Sequence, residues 1–421
     1  MDDNTNYKEI LVGEGQYYFF SDDLEIVRSL DSTFDAKERA DSKRSVNLRL
    51  VGNNTKRQLE ISKKTRIGVN LVSGCNLSCR YCYLTAANRP LLLLAEDRFR
   101  EIVRFLKQND CEEMLMYFVG GGEPTLNIGL MQKIPQICRE EGLENISLEL
   151  TTNGTNMSDE LLSFLINYNV KLYISLDGNE EANSARVFKN GKPAFAIVQK
   201  NMELLKRNNI PFSCKAIVQP GKGKMLECVS YFEENQIPFG YDFAVESFDG
   251  SFKPSIMDLD AFDSELSNVM KLYENRIASG KKVYSGNIIT GLLRLKNRSK
   301  IIVPCSAVID GYIIDLDGKI YSCAMNSSSP EMSIGDIKRG INYEKVLKKE
   351  YYPKEVDTNM VCHCCWARYL CGGGCFATNV VTNGDATRPN EFFCEVQKLH
   401  WEHLIKLYVS LWGKTDFQNF R

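Results

Sequence analysis

The spacing of its cysteines constrains this chain more than any other feature. Three of its fifteen cysteines stand as Cys75-x3-Cys79-x2-Cys82, and eight crowd the C-terminal quarter: Cys305, Cys323, Cys362, Cys364, Cys365, Cys371, Cys375 and Cys394. Thiolates at such short, unequal intervals can all point at one centre, the arrangement that wraps a compact iron–sulfur cluster. A three-cysteine loop leaves one iron of a cubane cluster without a protein ligand, open to chemistry. Two other readings compete. Disulfides fit an odd count poorly, and the start Met1-Asp2-Asp3-Asn4 has neither the basic nor the apolar run of a secretory signal. Structural zinc suits Cys362-x2-Cys365 with Cys371-x3-Cys375 but leaves the Cys75 loop unexplained.

With 421 residues, 43% apolar and 25% charged, the chain can bury a large core in more than one domain. A formal net charge of −2 offers no electrostatic footprint for nucleic acid or an anionic membrane surface. Apolar runs such as residues 91–95 are far too short to span a bilayer. Reduced thiols without an export signal lead us to expect a cytoplasmic, reducing setting.

Residues 1–65 read as a short strand-rich segment. It holds a strand at 16–20, a charged helical stretch at 33–44, and a hairpin pairing 47–51 with 56–61 around Gly52-Asn53-Asn54. Beyond it, β-branched apolar runs alternate with amphipathic segments, the mark of a parallel α/β sheet or barrel. Strands are expected at 66–72, 113–119, 146–151, 170–175, 211–218 and 239–245. Helices are expected at 96–109, 129–142, 158–167, 195–208 and 224–235. The expected fold class is α/β, a partial (β/α)6 TIM-type barrel over 66–255. A helical bridge (256–302), a small cysteine-rich domain (303–395) and a C-terminal helix (396–421) complete the plan.

In such a barrel the ligand sits at the C-terminal ends of the strands. The polar and glycine motifs fall there in register: the Cys75 loop, Gly120-Gly121-Gly122-Glu123-Pro124, Thr151-Thr152-Asn153-Gly154 and Ser175-Leu176-Asp177-Gly178. Each alone reads as a tight turn; four after successive strands read as a site.

The Cys75 loop, with Tyr81 inside it, resembles the cluster loop of the radical S-adenosylmethionine superfamily. Gly121-Gly122-Glu123-Pro124 resembles that family's motif for the amino end of the methionine moiety. The resemblance implies a [4Fe-4S] cluster on Cys75, Cys79 and Cys82 whose open iron is chelated by S-adenosylmethionine. Reductive cleavage then gives a 5′-deoxyadenosyl radical that abstracts a hydrogen atom. It also implies Tyr81 near the adenine, and Asn153 and Ser175 near the ribose or carboxylate. Asn183-x2-Arg186 is similar to a His-Asn/Asp-x2-Arg stretch of the subgroup, with Ala182 in place of the histidine.

The C-terminal cysteines resemble the SPASM extension. Cys305, Gly318-x4-Cys323, Cys362-x2-Cys365-x5-Cys371-x3-Cys375 and Cys394 follow its pattern, so the resemblance spans roughly residues 66–395. It implies two auxiliary clusters, one held by Cys305, Cys323 and Cys375, the other by Cys362, Cys365, Cys371 and Cys394. That makes three [4Fe-4S] clusters in all. The first auxiliary set is one ligand short, and either an oxygen from Asp310 or Asp315 completes it or the iron is open. Cys364 is surplus, and Cys111, Cys138, Cys214 and Cys228 read as core filler.

SPASM proteins act mostly on peptides, so the resemblance implies a maturase of ribosomally made precursors that forms a thioether or carbon–carbon cross-link. It also implies a flavodoxin- or ferredoxin-type electron donor. One alternative is sulfatase-maturase-like protein oxidation, although sulfatase maturases carry an aspartate after the Gly-x4-Cys cysteine where this chain has Ala324. Another is a non-catalytic iron–sulfur electron-transfer protein, which would need neither the three-cysteine loop nor Gly-Gly-Glu-Pro. Residues 1–65 are shorter than the usual winged-helix leader-binding domain, which leaves open a truncated leader-recognition element, a separate partner protein or no leader recognition. Glu246 and Asp177 are the candidate general bases. His363 reads as orienting its loop, and His400 and His403 as the solvated face of a C-terminal helix.

Overall fold

The structure, a computed structural model, describes residues 7–13, 15–29, 64–109, 113–247, 249–255, 258–305, 307, 311–346, 355–359 and 361–412. Six parallel strands form its centre: β4 (Lys64–Val69), β5 (Glu113–Phe118), β6 (Ile146–Thr152), β7 (Lys171–Ser175), β8 (Phe212–Val218) and β9 (Phe239–Phe243). Between them lie α1 (Glu96–Gln108), α2 (Ile128–Glu140), α3 (Asp159–Asn167), α4 (Phe195–Arg207) and α5 (Met225–Glu234). Each strand alternates. In β6, Leu148 and Leu150 are buried while Glu149 and Thr151 take the opposite face, the period of two that puts one side under helices. Local chemistry sets the helix starts. Ser158 accepts a hydrogen bond from the Leu161 amide to cap α3, and α1 opens on Glu96 and Asp97, which suit the positive end of the helix dipole.

The sheet continues past β4. Strand β10 (Gly311–Ile314) pairs with it in parallel, and β11 (Lys319–Tyr321), β12 (Gly335–Asp336) and β13 (Gly340–Ile341) follow as an antiparallel tail. The cysteine-rich region is therefore hydrogen-bonded into the barrel sheet, a pairing the local pattern of residues did not suggest. Asn70 adds a side-chain tie, donating from Nδ2 to Asp315 Oδ1 at 3.0 Å. On the other flank stand α6 (Leu259–Ala278) and α7 (Gly286–Asn297). The long α9 (Glu391–Ser410) packs on both, after the short α8 (Phe376–Asn383).

The expectation of a solvated α9 face at His400 and His403 is wrong. Both are buried, because α9 carries apolar residues around its whole circumference, among them Phe392, Val396, Leu404 and Ile405. His403 Nε2 reaches Asp263 Oδ1 on α6 at 2.8 Å. The helix begins at Glu391 rather than 396, capped by Asn390, which places Cys394 in its first turn.

The N-terminal segment is an antiparallel meander of β1 (Tyr7–Val12), β2 (Gly15–Phe20) and β3 (Glu25–Arg28). It docks on the cysteine-rich region. Phe19 packs edge-on to Trp366, Asp22 pairs with Arg368, and Lys8 pairs with Glu402 of α9 at 3.0 Å. The expected helix at 33–44 and hairpin at 47–61 lie outside the described residues.

Candidate active site

The loops at the C-terminal ends of β4–β7 are knitted into one another. The Glu123 carboxylate is buried and accepts four hydrogen bonds: from Thr152 Oγ1 (2.6 Å), Thr125 Oγ1 (2.7 Å), the Asn153 amide (2.7 Å) and the Thr125 amide (3.2 Å). Burial raises its pKa against those donors. Asn153 in turn donates from Nδ2 to Asn76 Oδ1 at 2.8 Å, inside the cysteine loop. Pro124 starts the 3-10 turn that follows, with Glu123 as its cap.

Gly122 is required for a reason the sequence did not reveal. A Cβ there would lie 1.8 Å from the Gly74 carbonyl oxygen, and one on Gly121 would lie 2.1 Å from that of Val72. The Glu123 amide also donates to the Gly74 carbonyl, at 3.0 Å. The close approach that excludes a side chain is to the backbone leading into the cysteine loop.

Asp177 and Arg186 form a buried fork. Arg186 donates from Nε at 3.0 Å and from Nη2 at 2.9 Å, one bond to each carboxylate oxygen. The Ile217 amide adds 2.8 Å, and the Tyr81 hydroxyl donates to the same carboxylate beneath the Arg186 guanidinium. With both oxygens engaged, Asp177 anchors Tyr81 and Arg186; this geometry leaves no free lone pair directed at a substrate and corrects its reading as a base. Glu246 pairs with Lys253 at 3.6 Å and lines another cavity beside Thr378 and Glu391, one that shares Ala244 and Val245 with the cavity at the Cys75 loop.

Two further cavities meet inside the barrel. One, about 350 Å³, is lined by Cys75, Cys79 and Cys82 together with Gly122, Asn153, Ser175 and Arg186. The other, about 680 Å³, runs beside β9, α7 and α9 to Cys371 and Cys375. Tyr83, Ile217, Asp242, Phe243 and Val245 line both. Asp242 and Tyr83 escaped the reading of the sequence. Asp242 had a signal: it is the acid at the inward parity of the strand Phe-Gly-Tyr-Asp-Phe.

The cysteines gather in three groups. The Cys79 thiol is raised to about 12, by burial above all, with Arg186 opposing and nearby Cys82 and Cys75 adding to the rise. The Cys323 thiol is pushed to about 12 by burial and then by Cys375, with a weaker contribution from Cys305. The Cys362 thiol is raised to about 12 by burial, then by Cys371 and Cys365, and Cys394 feels those same three sulfurs after its own burial. These groups match the donor chemistry of thiolate-ligated iron, since each set holds only sulfurs at mutual electrostatic range. Among the described residues no three metal-binding side chains surround one point as a single metal ion would need, whereas the cysteines of a cluster each bind a different iron. Tyr83 stands between groups: its phenol is raised by burial and then by Cys82 and Cys323. Asp315 is engaged by Asn70; Asp310 and Cys111 lie outside the described residues. Cys364 Sγ sits 3.5 Å from His363 Nδ1. Cys138, Cys214 and Cys228 are buried in the core, as expected.

Comparison with known proteins agrees with this geometry. Residues 69–224 match the Radical SAM superfamily, and the chain carries a radical SAM domain there. It is 31% identical over 173 residues to the uncharacterized protein MJ0907 of Methanocaldococcus jannaschii, spanning 41% of this chain and 58% of that one. It is 24% identical over 361 residues to a cysteine-type anaerobic sulfatase-maturating enzyme of Clostridium perfringens, spanning 80% of this chain and 95% of that one. The fold resembles anSMEcpe with bound AdoMet (TM-score 0.68, 20% identity, 85% of this chain and 100% of that one). It also resembles Streptococcus suis SuiB bound to precursor peptide SuiA (TM-score 0.53, 16% identity, 92% and 98%). The protein is a radical SAM enzyme that binds S-adenosylmethionine and an iron–sulfur cluster. Among the described residues no helix is long and apolar enough to cross a membrane.

Proposed function

We propose that this enzyme matures a peptide, abstracting hydrogen from a ribosomally made precursor and joining two of its residues through a thioether or carbon–carbon bond. The observation that carries the reading is the joined space running from the three-cysteine loop to Cys371 and Cys375, with room for a peptide segment between two groups of sulfurs. In this reading Cys75, Cys79 and Cys82 hold the cluster that cleaves S-adenosylmethionine. Cys305, Cys323 and Cys375 hold one auxiliary cluster; Cys362, Cys365, Cys371 and Cys394 hold another. Tyr81, Gly121, Gly122, Glu123, Pro124, Asn153, Ser175 and Arg186 shape the S-adenosylmethionine pocket, and a flavodoxin- or ferredoxin-type protein supplies the electron. Solved relatives support a peptide ligand: anSMEcpe is known with bound AdoMet and a Cp18Cys peptide, and SuiB with its precursor.

Sulfatase maturation is the second reading, favoured by the likeness to the Clostridium perfringens enzyme over 80% of this chain. Ala324 at the position after Cys323 weighs against it. The test is anaerobic reconstitution followed by iron analysis and mass spectrometry. Wild-type protein should bind about twelve irons and release 5′-deoxyadenosine, and it should remove two hydrogens from cysteine-containing peptides. Replacing Cys75, Cys79 and Cys82 by alanine should remove about four irons and end deoxyadenosine release. Release by that triple variant refutes the reading.

A further inference from the structure

Asp242 lines both cavities of the site but has been given no chemical role so far. It stands on β9 opposite Ile217 of β8, with Lys215 one inward position earlier on β8. Asp242 is an exposed residue whose side chain opens onto the cavities, with protein packed around their walls. Among the described residues it is the one carboxylate lining both of them. The other acid of the smaller cavity, Glu123, already accepts four hydrogen bonds. Among the described residues nothing donates a hydrogen bond to Asp242 or pairs with it within ion-pair distance.

Lys215 tunes this group from a short remove. Its ammonium lies 4.0 Å from the centre of the Tyr173 ring, 3.3 Å from Thr151 Oγ1 and 3.9 Å from Glu149 Oε1, so it is anchored in the barrel floor. Burial raises the Asp242 pKa and the Lys215 charge pulls it back. Tyr83 faces both cavities, Arg294, Cys371, Cys375 and His400 face the larger one and Arg186 the smaller, but Lys215 is the charge that bears on Asp242.

We propose that Asp242 is the acid–base residue of this enzyme, taking a proton from the bound peptide where the two cavities meet. This rests on the peptide-maturase reading. The balance is complete: one hydrogen atom leaves the peptide on 5′-deoxyadenosine and one proton leaves to an Asp242 oxygen. The bond to that proton breaks with its electron pair remaining on the peptide, where it serves the new cross-link. An iron–sulfur cluster held by the C-terminal cysteines would take up the surplus electron. Of the acids near the site, Asp177 is held by Arg186 and Tyr81, and Glu246 pairs with Lys253 on the neighbouring cavity. Asp242 alone among them presents an uncommitted carboxyl group to the path between the sulfur groups.

The test compares wild type with Asp242→Asn, Asp242→Glu and Lys215→Met, all cluster-loaded under anaerobic conditions. Infrared difference titration without peptide should show, among the carboxyl groups that protonate above the ordinary range in wild type, one that belongs to Asp242. It should be absent in Asp242→Asn and moved still higher in Lys215→Met. With a set of synthetic cysteine-containing peptides, the ratio of cross-linked product to 5′-deoxyadenosine should fall on the order of 100-fold in Asp242→Asn and recover in part in Asp242→Glu. An unchanged ratio, or a carboxyl group titrating in the ordinary range, overturns the proposal. Wild-type protein that releases deoxyadenosine but converts no peptide overturns the maturase reading instead, and the infrared titration then decides Asp242 by itself.

Discussion

Tyr241 Oη and His400 Nε2 lie 2.8 Å apart, so the last barrel strand and the C-terminal helix share one buried hydrogen bond. Burial lowers the His400 pKa from 6.5 to about 3, with His403 adding to the effect. Folding therefore keeps the neutral ring, and the unfolded chain binds a proton that the folded one lacks. This group costs nothing above pH 6.5 and destabilises progressively below it, levelling off near pH 3, with a slope of up to about 1.4 kcal/mol per pH unit. Thermal midpoints measured from pH 7.5 to 5.5 should fall less steeply in His400→Gln, which keeps a polar partner for Tyr241 and cannot titrate. Identical slopes would place the acid sensitivity elsewhere.

Gly122→Val should disrupt the cysteine loop as well as S-adenosylmethionine binding, because the new Cβ would meet the Gly74 carbonyl at 1.8 Å. Iron analysis should show a loss of about four irons, and calorimetry no S-adenosylmethionine binding. Gly129→Ala, with open space around its Cβ in the first turn of α2, is the control. It should keep both and gain up to about 1 kcal/mol in helix propensity.

Asp177→Ala removes the carboxylate that pairs with buried Arg186 and leaves that cation uncompensated. Such a loss costs about 3–5 kcal/mol. The double variant Asp177→Leu/Arg186→Met should lose less stability than the single one, since no charge is then stranded. Denaturant unfolding of the two variants measures the difference, and a single variant as stable as wild type would contradict the pairing.

Asp22→Ala breaks the contact between Arg368 and the N-terminal meander, while Arg368 keeps its bond to the His363 carbonyl at 2.9 Å. Hydrogen exchange should rise in β1–β3 by at least tenfold, equivalent to about 1.4 kcal/mol. The amides of α1–α5 should be unaffected, because no element of the barrel leans on this pair.

The barrel strands and helices were legible to within a few residues because alternation and amphipathic spacing are local properties. Ile146 to Thr152 shows its two faces in seven letters. The pairing of β10 with β4 was not legible, because four residues such as Gly-Tyr-Ile-Ile carry no record of a partner far away in the chain. His400 and His403 were misplaced for a related reason: a helix apolar all round reports burial, but two histidines within it look like a polar face. At the site, loops drew attention and strand interiors did not. Asp177 looked free in the turn Leu-Asp-Gly, although Arg186 and Tyr81 claim both its oxygens. Asp242 lay unnoticed in a strand.

The parallel pairing of β10 with β4 also has a bearing on synthesis. The edge of β4 that faces away from β5 is covered only when residues 311–314 arrive, and the side chains tied across this seam, Asn70 and Asp315, are 245 residues apart. At ordinary ribosomal speeds that interval is on the order of tens of seconds. Throughout it, a nascent barrel presents an unpaired strand edge, the kind of template on which foreign strands add. The last quarter of the chain thus acts as a late-arriving shield, and a nascent chain stalled before residue 311 would be the most aggregation-prone form of this protein.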